Sequence, residues 1–348
     1  MSEAPIRVAV NDLEAFCHGV FGATGFSAQD ARTQTDVLIW ANLRGIDSHG
    51  VMRIPRYVAW LESGVMRADA VMEVTTERRG AAIVDAGQGP GAVAMSFAMQ
   101  DALQRARTDA IGWTVVRRTT HSGAAGYYAA MAAQENMAGI AVATSRPNMA
   151  YFGARAAGVA TTPIAIAVPG GPDGMLVLDM STSQMPIGKI RAARATGQPL
   201  PGVCALTDDG EPTDDPHKAA IPLPLGGPKG SGLSLLFECL TGVLTGNPLL
   251  EPALTGAQKG HAQNGLAIAI DIEAFSNVAD FKELVLALAR SIKALPAMDA
   301  DSEVMLPGEP EIRESQHRRD GIPIPAKVWT QLTETAQRLG VLLPPTLQ

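Results

Sequence analysis

Cysteine and charge are both scarce in this chain. Three cysteines, Cys17, Cys204 and Cys239, occur in 348 residues. Their odd number and wide spacing exclude a disulfide scaffold or a thiolate metal cluster and favour a reducing, cytoplasmic setting. Charged residues make up 18% and the formal net charge is −7. That balance argues against nucleic acid as the main partner and leaves room for a local basic site for a small anion. Met1–Arg7 has no basic head followed by an apolar stretch, so no secretory signal is expected. No cluster of His, Cys and carboxylate has the spacing of metal ligands, so no metal is expected. Internal repeats and low-complexity tails are absent. One stretch, Gly230–Leu250, is apolar and long enough to span a bilayer. It carries Glu238, four glycines and Pro248, so it reads as a buried helix and a turn, with no membrane partner expected.

What is present supports one or two ordinary cores: 46% of residues are hydrophobic. The first 65 residues read as helices. Ser27–Asp30 matches a capping box, followed by Val37, Leu38, Trp40 and Ala41 at helical spacing. Gly45 ends that helix. Ser48 can cap a second, with Val51, Ile54, Val58 and Leu61 inside and Gly64 closing it. From Glu73 the pattern changes. Short apolar runs at Ala81–Asp85, Trp113–Val116, Ile140–Ala143, Ile164–Val168, Leu176–Leu178 and Leu266–Ile272 predict buried strands. Helices are predicted over Ala92–Arg107, from Ala125, and over Gly232–Leu244, Phe281–Ala294 and Pro323–Leu339. The proline-rich Pro199–Pro228 reads as a long surface excursion.

One motif invites a dinucleotide-binding reading. Gly87-Gln88-Gly89-Pro90-Gly91-Ala92 fits G-x-G-x-x-A between a strand and a helix, with Asp109 about twenty residues on. A Rossmann-type dehydrogenase would use these glycines to bring backbone amides to a pyrophosphate. Two features count against it: Asp109 precedes the next strand instead of ending it, and Pro90 removes an amide donor.

Four other stretches can carry chemistry. Asp47-Ser48-His49-Gly50 sits at a helix start, where the dipole disfavours a charged histidine and favours an anion. Arg44 and Arg53 flank it and can clamp a carboxylate. Thr120-His121-Ser122-Gly123 follows a strand and precedes a helix, a common place for active residues. The remaining histidines, His18, His217, His261 and His317, lack a comparable setting. Gly226–Gly232 exposes amides before a helix and includes Lys229, a reading that balances phosphate binding against a flexible turn. Asp179-Met180-Ser181-Thr182-Ser183 follows a strand and can orient a histidine or bind a hydroxyl. Each stretch alone is also read as a plain capped helix start or a solvated turn.

Together these motifs and their order resemble the malate/L-lactate dehydrogenase-like family of oxidoreductases. The matching stretches are Arg44–Arg53 (RGIDSHGVMR), Thr120–Tyr128 (THSGAAGYY), Thr161–Pro169 (TTPIAIAVP), Val177–Ser183 (VLDMSTS), Leu225–Leu233 (LGGPKGSGL), Thr241–Gly246 (TGVLTG) and Leu306–Glu309 (LPGE). The resemblance implies an α+β fold with a largely antiparallel, non-Rossmann NAD(P)-binding sheet. It implies a mixed α/β cofactor domain over 75–295 and a mostly helical domain over 1–74 completed by 296–348. It implies a homodimer and an active site in the cleft between domains. Carried over by residue, His49 looks like the proton donor and acceptor with Ser48 beside it, and His121 like a second residue at the reacting centre. Asp179 joins this catalytic set. Arg44, Arg53 and Thr161 fall at substrate-binding positions. Ser122, Met180, Ser181, Lys229, Gly230, Pro307, Gly308 and Glu309 fall in stretches that line NAD or NADP.

The chain departs from the family pattern at Thr162, where asparagine is common, at Ser231, where tyrosine is common, and over Ser145–Asn148. These departures bear on the substrate and on the choice between NAD and NADP. The expected reaction is hydride transfer at the 2-carbon of a small 2-hydroxy or 2-oxo acid, or of a cyclic 2-imino acid. The rival readings are the Rossmann enzyme using Gly87–Ala92 and a non-catalytic binding protein for a small acid or nucleotide on the same scaffold.

Overall fold

A computed structural model describes residues 5–257, 260–299 and 301–347. Its centre is a seven-stranded sheet. In spatial order the strands are Glu73–Arg78, Ala81–Asp85, Ile111–Thr119, Gln263–Asp271, Met137–Ser145, Ile164–Pro169 and Met175–Met180. Only Ala81–Asp85 and Ile111–Thr119 pair in parallel, joined by the helix Gly91–Asp109. The other five pairings are antiparallel. The sheet is thus mixed and mostly antiparallel, as the motifs led one to expect.

Small residues set how closely the helices approach this sheet. Ala94, Ala98, Ala102 and Ala106 recur every fourth position along Gly91–Asp109 and are fully buried. Glycines face them from the strands. A Cβ at Gly112 would lie 1.8 Å from the Ala102 carbonyl oxygen, and one at Gly139 would lie 2.4 Å from that of Ala129. The second helix on this face is Ala125–Gln134, also alanine-rich. On the other face Val115, Val142, Leu266 and Ile268 pack with Trp113, Ile140 and Phe237.

The two ends of the chain meet. Ile6–Val8 pairs antiparallel with both Ile322–Ile324 and Thr346–Leu347. A second core gathers Leu13, Phe16, Val20 and Phe21 with Leu38, Ile54, Tyr57, Ile322, Ile324 and Leu332. The strand at 6–8 replaces part of the expected all-helical start. The last helix begins at Ala326, after a strand and Pro325. Three-residue strands leave no periodicity to read.

Other expectations resolve locally. Ser27 caps the helix Ala28–Leu43, accepting from the Asp30 amide at 3.1 Å. Ser48 caps no α-helix: Asp47–His49 and Val51–Arg53 are two 3₁₀ turns, and the α-helix starts at Ile54. Pro199–Pro228 is more than a surface excursion. Ala205–Leu206 pairs with Pro212–Thr213 and Ile221–Pro222, and Leu200, Cys204, Ala205 and Ala219 form a small core with Ile190. The apolar stretch after Pro228 is a helix to Glu238 followed by a π-helical turn, Cys239–Val243. Glu238 lies inside it and accepts from the amides of Leu249 and Leu250. Among the described residues no helix is long and apolar enough to cross a membrane.

Candidate active site

Each residue of Asp47-Ser48-His49-Gly50 has a distinct structural reason. Gly45, at φ +73°, turns the chain out of the preceding helix. Asp47 accepts from Arg318 at 2.6 and 3.1 Å and from the Asn42 amide at 2.7 Å, tying the turn to the C-terminal segment. Asn42 also reaches across the turn to accept from the Val51 amide at 2.8 Å. A Cβ on Gly50 would lie 2.1 Å from that Asn42 oxygen, so only glycine leaves the path open. Ser48 Oγ sits 2.8 Å from His49 Nδ1, and Arg53 Nε donates to the Ser48 carbonyl at 2.5 Å.

The second histidine is supported by the glycine motif that resembled a dinucleotide fingerprint. The Gly91 amide donates to Thr120 Oγ1 at 3.1 Å, and Thr120 Oγ1 donates to the Gly89 carbonyl at 3.0 Å. A Cβ on Gly91 would lie 2.3 Å from the Thr120 oxygen and 2.5 Å from the His121 carbonyl. The Gly87, Gln88 and Gly89 amides are spent on Asp85, Arg118 and Ala86. No amide of Gly87, Gln88, Gly89 or Gly91 remains for a pyrophosphate, and the motif does not line the cavity described below. These bonds count against the rival use of Gly87–Ala92 as a pyrophosphate cradle. These glycines let one backbone press against the His121 loop.

The two imidazoles meet across the turn. The rings of His49 and His121 stack with centroids 5.3 Å apart and an interplanar angle of 26°. His121 Nδ1 accepts from the Gly123 amide at 3.2 Å and lies 2.6 Å from the hydroxyl of Tyr57, which is fully buried. Burial, then the Arg53 guanidinium, pushes His49 down to about 4. Burial also holds His121 well below its ordinary value, with Arg53 and His49 adding to it. Asp179, next to last in the strand Met175–Met180, accepts from the Gly126 amide at 2.7 Å. Its burial raises the carboxyl to about 6, against the pull of that amide.

These groups line one cavity of about 1250 Å³. Arg44, Ser48, His49, Arg53, His121, Ser122, Thr161, Asp179, Met180 and Ser181 all reach it. The Thr161 amide is fixed by Asn148 at 2.7 Å, and Tyr128 donates to the Ser122 carbonyl. Lys229, Gly230, Pro307, Gly308 and Glu309 are not among its lining. Gly230 packs against the backbone of Thr182 and Leu225, where a Cβ would lie 2.3 Å from the Thr182 oxygen. Pro307 and Gly308 abut the backbone of Val177. Glu309 pairs with Lys293 at 2.8 Å and with Arg313. Thr162 is buried and bonded to Ser234 at 2.8 Å, so the departure there is absorbed inside the protein.

Sequence reading passed over other cavity residues: Arg56, Trp60, Arg191, Glu311 and His261. His261 had no local pattern to mark it. Its place comes from the strand Gln263–Asp271, whose leading end opens on the cavity. Five arginines (44, 53, 56, 146 and 191) line the cavity, and among the described residues none has a carboxylate within ion-pair distance. Arg44 stacks on Trp40 at 4.1 Å and Arg56 on Trp60 at 4.8 Å. Among the described residues no three His, Cys, Asp or Glu side chains are grouped to hold a metal ion.

A pair of low-pKa imidazoles inside a ring of unpaired guanidiniums defines a class: an enzyme that binds small anions and exchanges a proton with them. Comparison with known proteins narrows it. The chain is 35% identical to the malate dehydrogenase of Pyrococcus horikoshii over 352 residues, covering 98% of each. The solved structure of that enzyme matches with a TM-score of 0.88 at 34% identity, over 98% of this chain and 97% of that one. The L-sulfolactate dehydrogenase of Methanocaldococcus jannaschii is 34% identical over 331 residues, 91% of this chain and 92% of that protein. Ureidoglycolate dehydrogenase (NAD(+)) of Escherichia coli O157:H7 is 29% identical over 335 residues, 95% of this chain and 96% of that protein. The family model for malate/L-lactate dehydrogenase matches residues 8–333. This chain belongs to the malate/L-lactate dehydrogenase family. It is an oxidoreductase of the dehydrogenase class, acting on a small acid.

Proposed function

We propose that the protein transfers a hydride between a nicotinamide cofactor and the 2-carbon of a small 2-hydroxy or 2-oxo acid, with His49 exchanging the proton. The observation that carries this is the stacked His49–His121 pair facing a cavity of unpaired arginines. The cavity, at about 1250 Å³, exceeds the roughly 300–1,000 Å³ of sites that bury one drug-sized ligand, which supports a nicotinamide binding beside a small acid. Ser122, Met180 and Ser181 on its wall would hold that cofactor, with the exposed Lys229 beyond Leu225 available to its phosphates and Gly230 letting that helix start pack against Thr182. NAD and NADP are both compatible with this lining. The nicotinamide, when bound, supplies or accepts the hydride.

The hydrogen bonds separate the two histidines by role. A backbone amide only donates, so the Gly123 bond makes His121 Nδ1 an acceptor. The neutral His121 ring therefore carries its proton on Nε2 and offers a donor, suited to holding the substrate oxygen. His49 Nδ1 meets the Ser48 hydroxyl, which can give or take a proton. With Nδ1–H donated to Ser48, His49 Nε2 is free to accept the hydroxyl proton of a 2-hydroxy acid. Arg53 is oriented by its bond to the Ser48 carbonyl, and with Arg44 it binds the substrate carboxylate. Asp179 fixes the start of the helix that follows the His121 loop.

The cavity draws residues from two parts of the chain: 44–60 and 311 on one side, 121–263 on the other. This supports a site between a helical part, 1–74 with 296–348, and a cofactor part, 75–295. The helix after Pro228 exposes Leu236, its π-helical continuation exposes Leu240 and Val243, and Leu244 follows, an apolar run that supports a homodimer. The reading is tested by mixing the protein with NADH or NADPH and a panel of 2-oxo acids and cyclic 2-imino acids. Nicotinamide oxidation is expected with at least one acid, and loss of that turnover in His49→Asn with cofactor binding retained.

A further inference from the structure

One part of the molecule over the histidine turn is built separately from the rest. Just after the edge strand Met175–Met180 the chain leaves through Thr182–Gln184, and it returns through Leu223–Leu225. The two passes lie side by side. Ser183 bridges antiparallel to Pro224, the Gln184 amide donates to the Leu223 carbonyl at 2.8 Å, and the Leu225 amide donates to the Thr182 carbonyl at 2.9 Å. Residues 185–222 hang from this neck. They carry their own small core of Ile190, Leu200, Cys204, Ala205 and Ala219. Arg194 ties the helix Ile187–Thr196 to the loop beyond it, donating to the Pro216 and Ala219 carbonyls at 2.8 and 2.7 Å. A unit with its own core and a two-stranded neck moves as one piece.

Its helix uses two faces. Ile190 and Ala193 turn to the small core, while Ile187, Gly188, Arg191 and Ala192 line the cavity, the spacing of a single helical stripe. Gly188 stands over the histidine turn, where a Cβ would lie 2.8 Å from Ser48 Cβ. Arg191 follows one turn later on the same face. Its charge reaches Arg53, whose Nε is fixed on the Ser48 carbonyl at 2.5 Å. Burial above all, and then the Arg56 and Arg191 charges against an opposing Tyr57, hold Arg53 below its ordinary value. Two guanidiniums on opposite sides of one gap repel each other until an anion sits between them. Little else holds the unit down. Among the described residues, the side chains of 185–222 make one hydrogen-bonded contact with the chain outside this unit, the ion pair of Glu211 with Arg155 at 2.5 Å, and both groups are exposed. Exposed pairs of this kind contribute little to stability.

We propose that residues 185–222 form a hinged cover over the histidine turn, and that a bound carboxylate draws it shut by bridging Arg53 below and Arg191 above. Arg191 is then a substrate-binding residue that closure delivers. The proposal rests on the hydride-transfer reading for the identity of the anion. An uncharged ligand gives the cover nothing to close on, because the attraction comes from the guanidinium on its inner face. Closure over Ser48 also shuts water away from the His49–His121 pair while the hydride moves.

The test is amide hydrogen exchange over residues 187–194, read by mass spectrometry. The protein is compared alone, with NADH or NADPH, and with either cofactor plus saturating oxamate or oxalate, two small carboxylates that take no hydride. In the wild type the carboxylate is expected to slow exchange there about tenfold beyond the cofactor alone. In Arg191→Gln that slowing is expected to shrink about fivefold, with cofactor affinity unchanged. Lys218→Gln makes the same charge change elsewhere on the cover, at an exposed position, and is expected to keep the full effect. Exchange that neither carboxylate slows in the wild type overturns the cover. Slowing that survives undiminished in Arg191→Gln, or is lost equally in Lys218→Gln, overturns the role of Arg191. Protection by a carboxylate without turnover of any acid in the panel would sink the hydride-transfer reading and leave the cover standing. Turnover without protection would do the reverse.

Discussion

Gly188 opens the helix that covers the histidine turn, and replacing it with alanine tests how closely that cover governs the chemistry. A Cβ at Gly188 would stand 2.8 Å from Ser48 Cβ and 3.1 Å from Ser48 Oγ. Carbon atoms in contact settle near 3.5–4.0 Å, so about 0.7–1 Å must be found. Ser48 can swing away and stretch its 2.8 Å bond to His49 Nδ1, or the helix Ile187–Thr196 can lift and widen the cavity. The first loses a hydrogen bond of about 1 kcal/mol and the partner that sets the His49 tautomer. The second moves the wall by an amount that costs on the order of 100-fold in rate. Either way turnover is expected to fall about 10- to 100-fold, while overpacking costs the fold only about 1–3 kcal/mol. Steady-state kinetics with a nicotinamide readout measures the first, and thermal unfolding the second. Gly22→Ala is the control: its Cβ would meet nothing within 4 Å, inside a helix where the change should stabilise by about 0.5–1 kcal/mol. Full activity in Gly188→Ala would refute the placement of Ser48 and His49 under this helix.

Further outcomes follow from the same contacts. Gly91→Ala drives a methyl into the Thr120 and His121 backbone and is expected to abolish activity or folding, whereas a dinucleotide role alone would spare the fold; circular dichroism separates the two. Tyr57→Phe removes the hydroxyl 2.6 Å from His121 Nδ1 and is expected to lower kcat about tenfold with a small change in KM, since the Gly123 bond still sets the tautomer. His49, pushed down to about 4, binds protons in the unfolded chain before it does in the folded one. Its share of stability is present above about pH 6.5 and is lost as pH falls from there toward 4, up to about 3 kcal/mol. His49→Asn should flatten that part of the pH–stability curve in denaturant titrations. Arg318→Ala frees Asp47 from its two contacts and should destabilise the histidine turn, read as accelerated proteolysis near residue 47.

Much of the site was legible because its residues cluster in short, chemically dense motifs. His49, His121, Asp179 and the arginines at 44 and 53 could be named from spacing and family likeness, and the fold brings them to one cavity. What could not be read depends on contacts distant in sequence. Asp47 is explained by Arg318, 271 residues away. His261 and Arg146 meet only because two strands pair in a given register. The glycine motif at 87–91 looks like a fingerprint because a tight strand-to-helix turn needs the same residues whether it cradles a phosphate or presses on a loop. The core strands were visible as apolar runs. The strands at 6–8, 322–324 and 346–347 were not, being too short to show an alternation.

If His49 exchanges the proton of a hydride transfer in this cavity, removing its imidazole must slow the hydride step itself. Pre-steady-state nicotinamide absorbance in the wild type and His49→Asn, with saturating cofactor and the best 2-hydroxy acid of the panel, tests it most directly. A fast reduction phase is expected in the wild type, slowing at least about 100-fold in the variant, with cofactor affinity unchanged and the His121→Asn variant impaired mainly in substrate binding. An unchanged reduction phase in His49→Asn would contradict it.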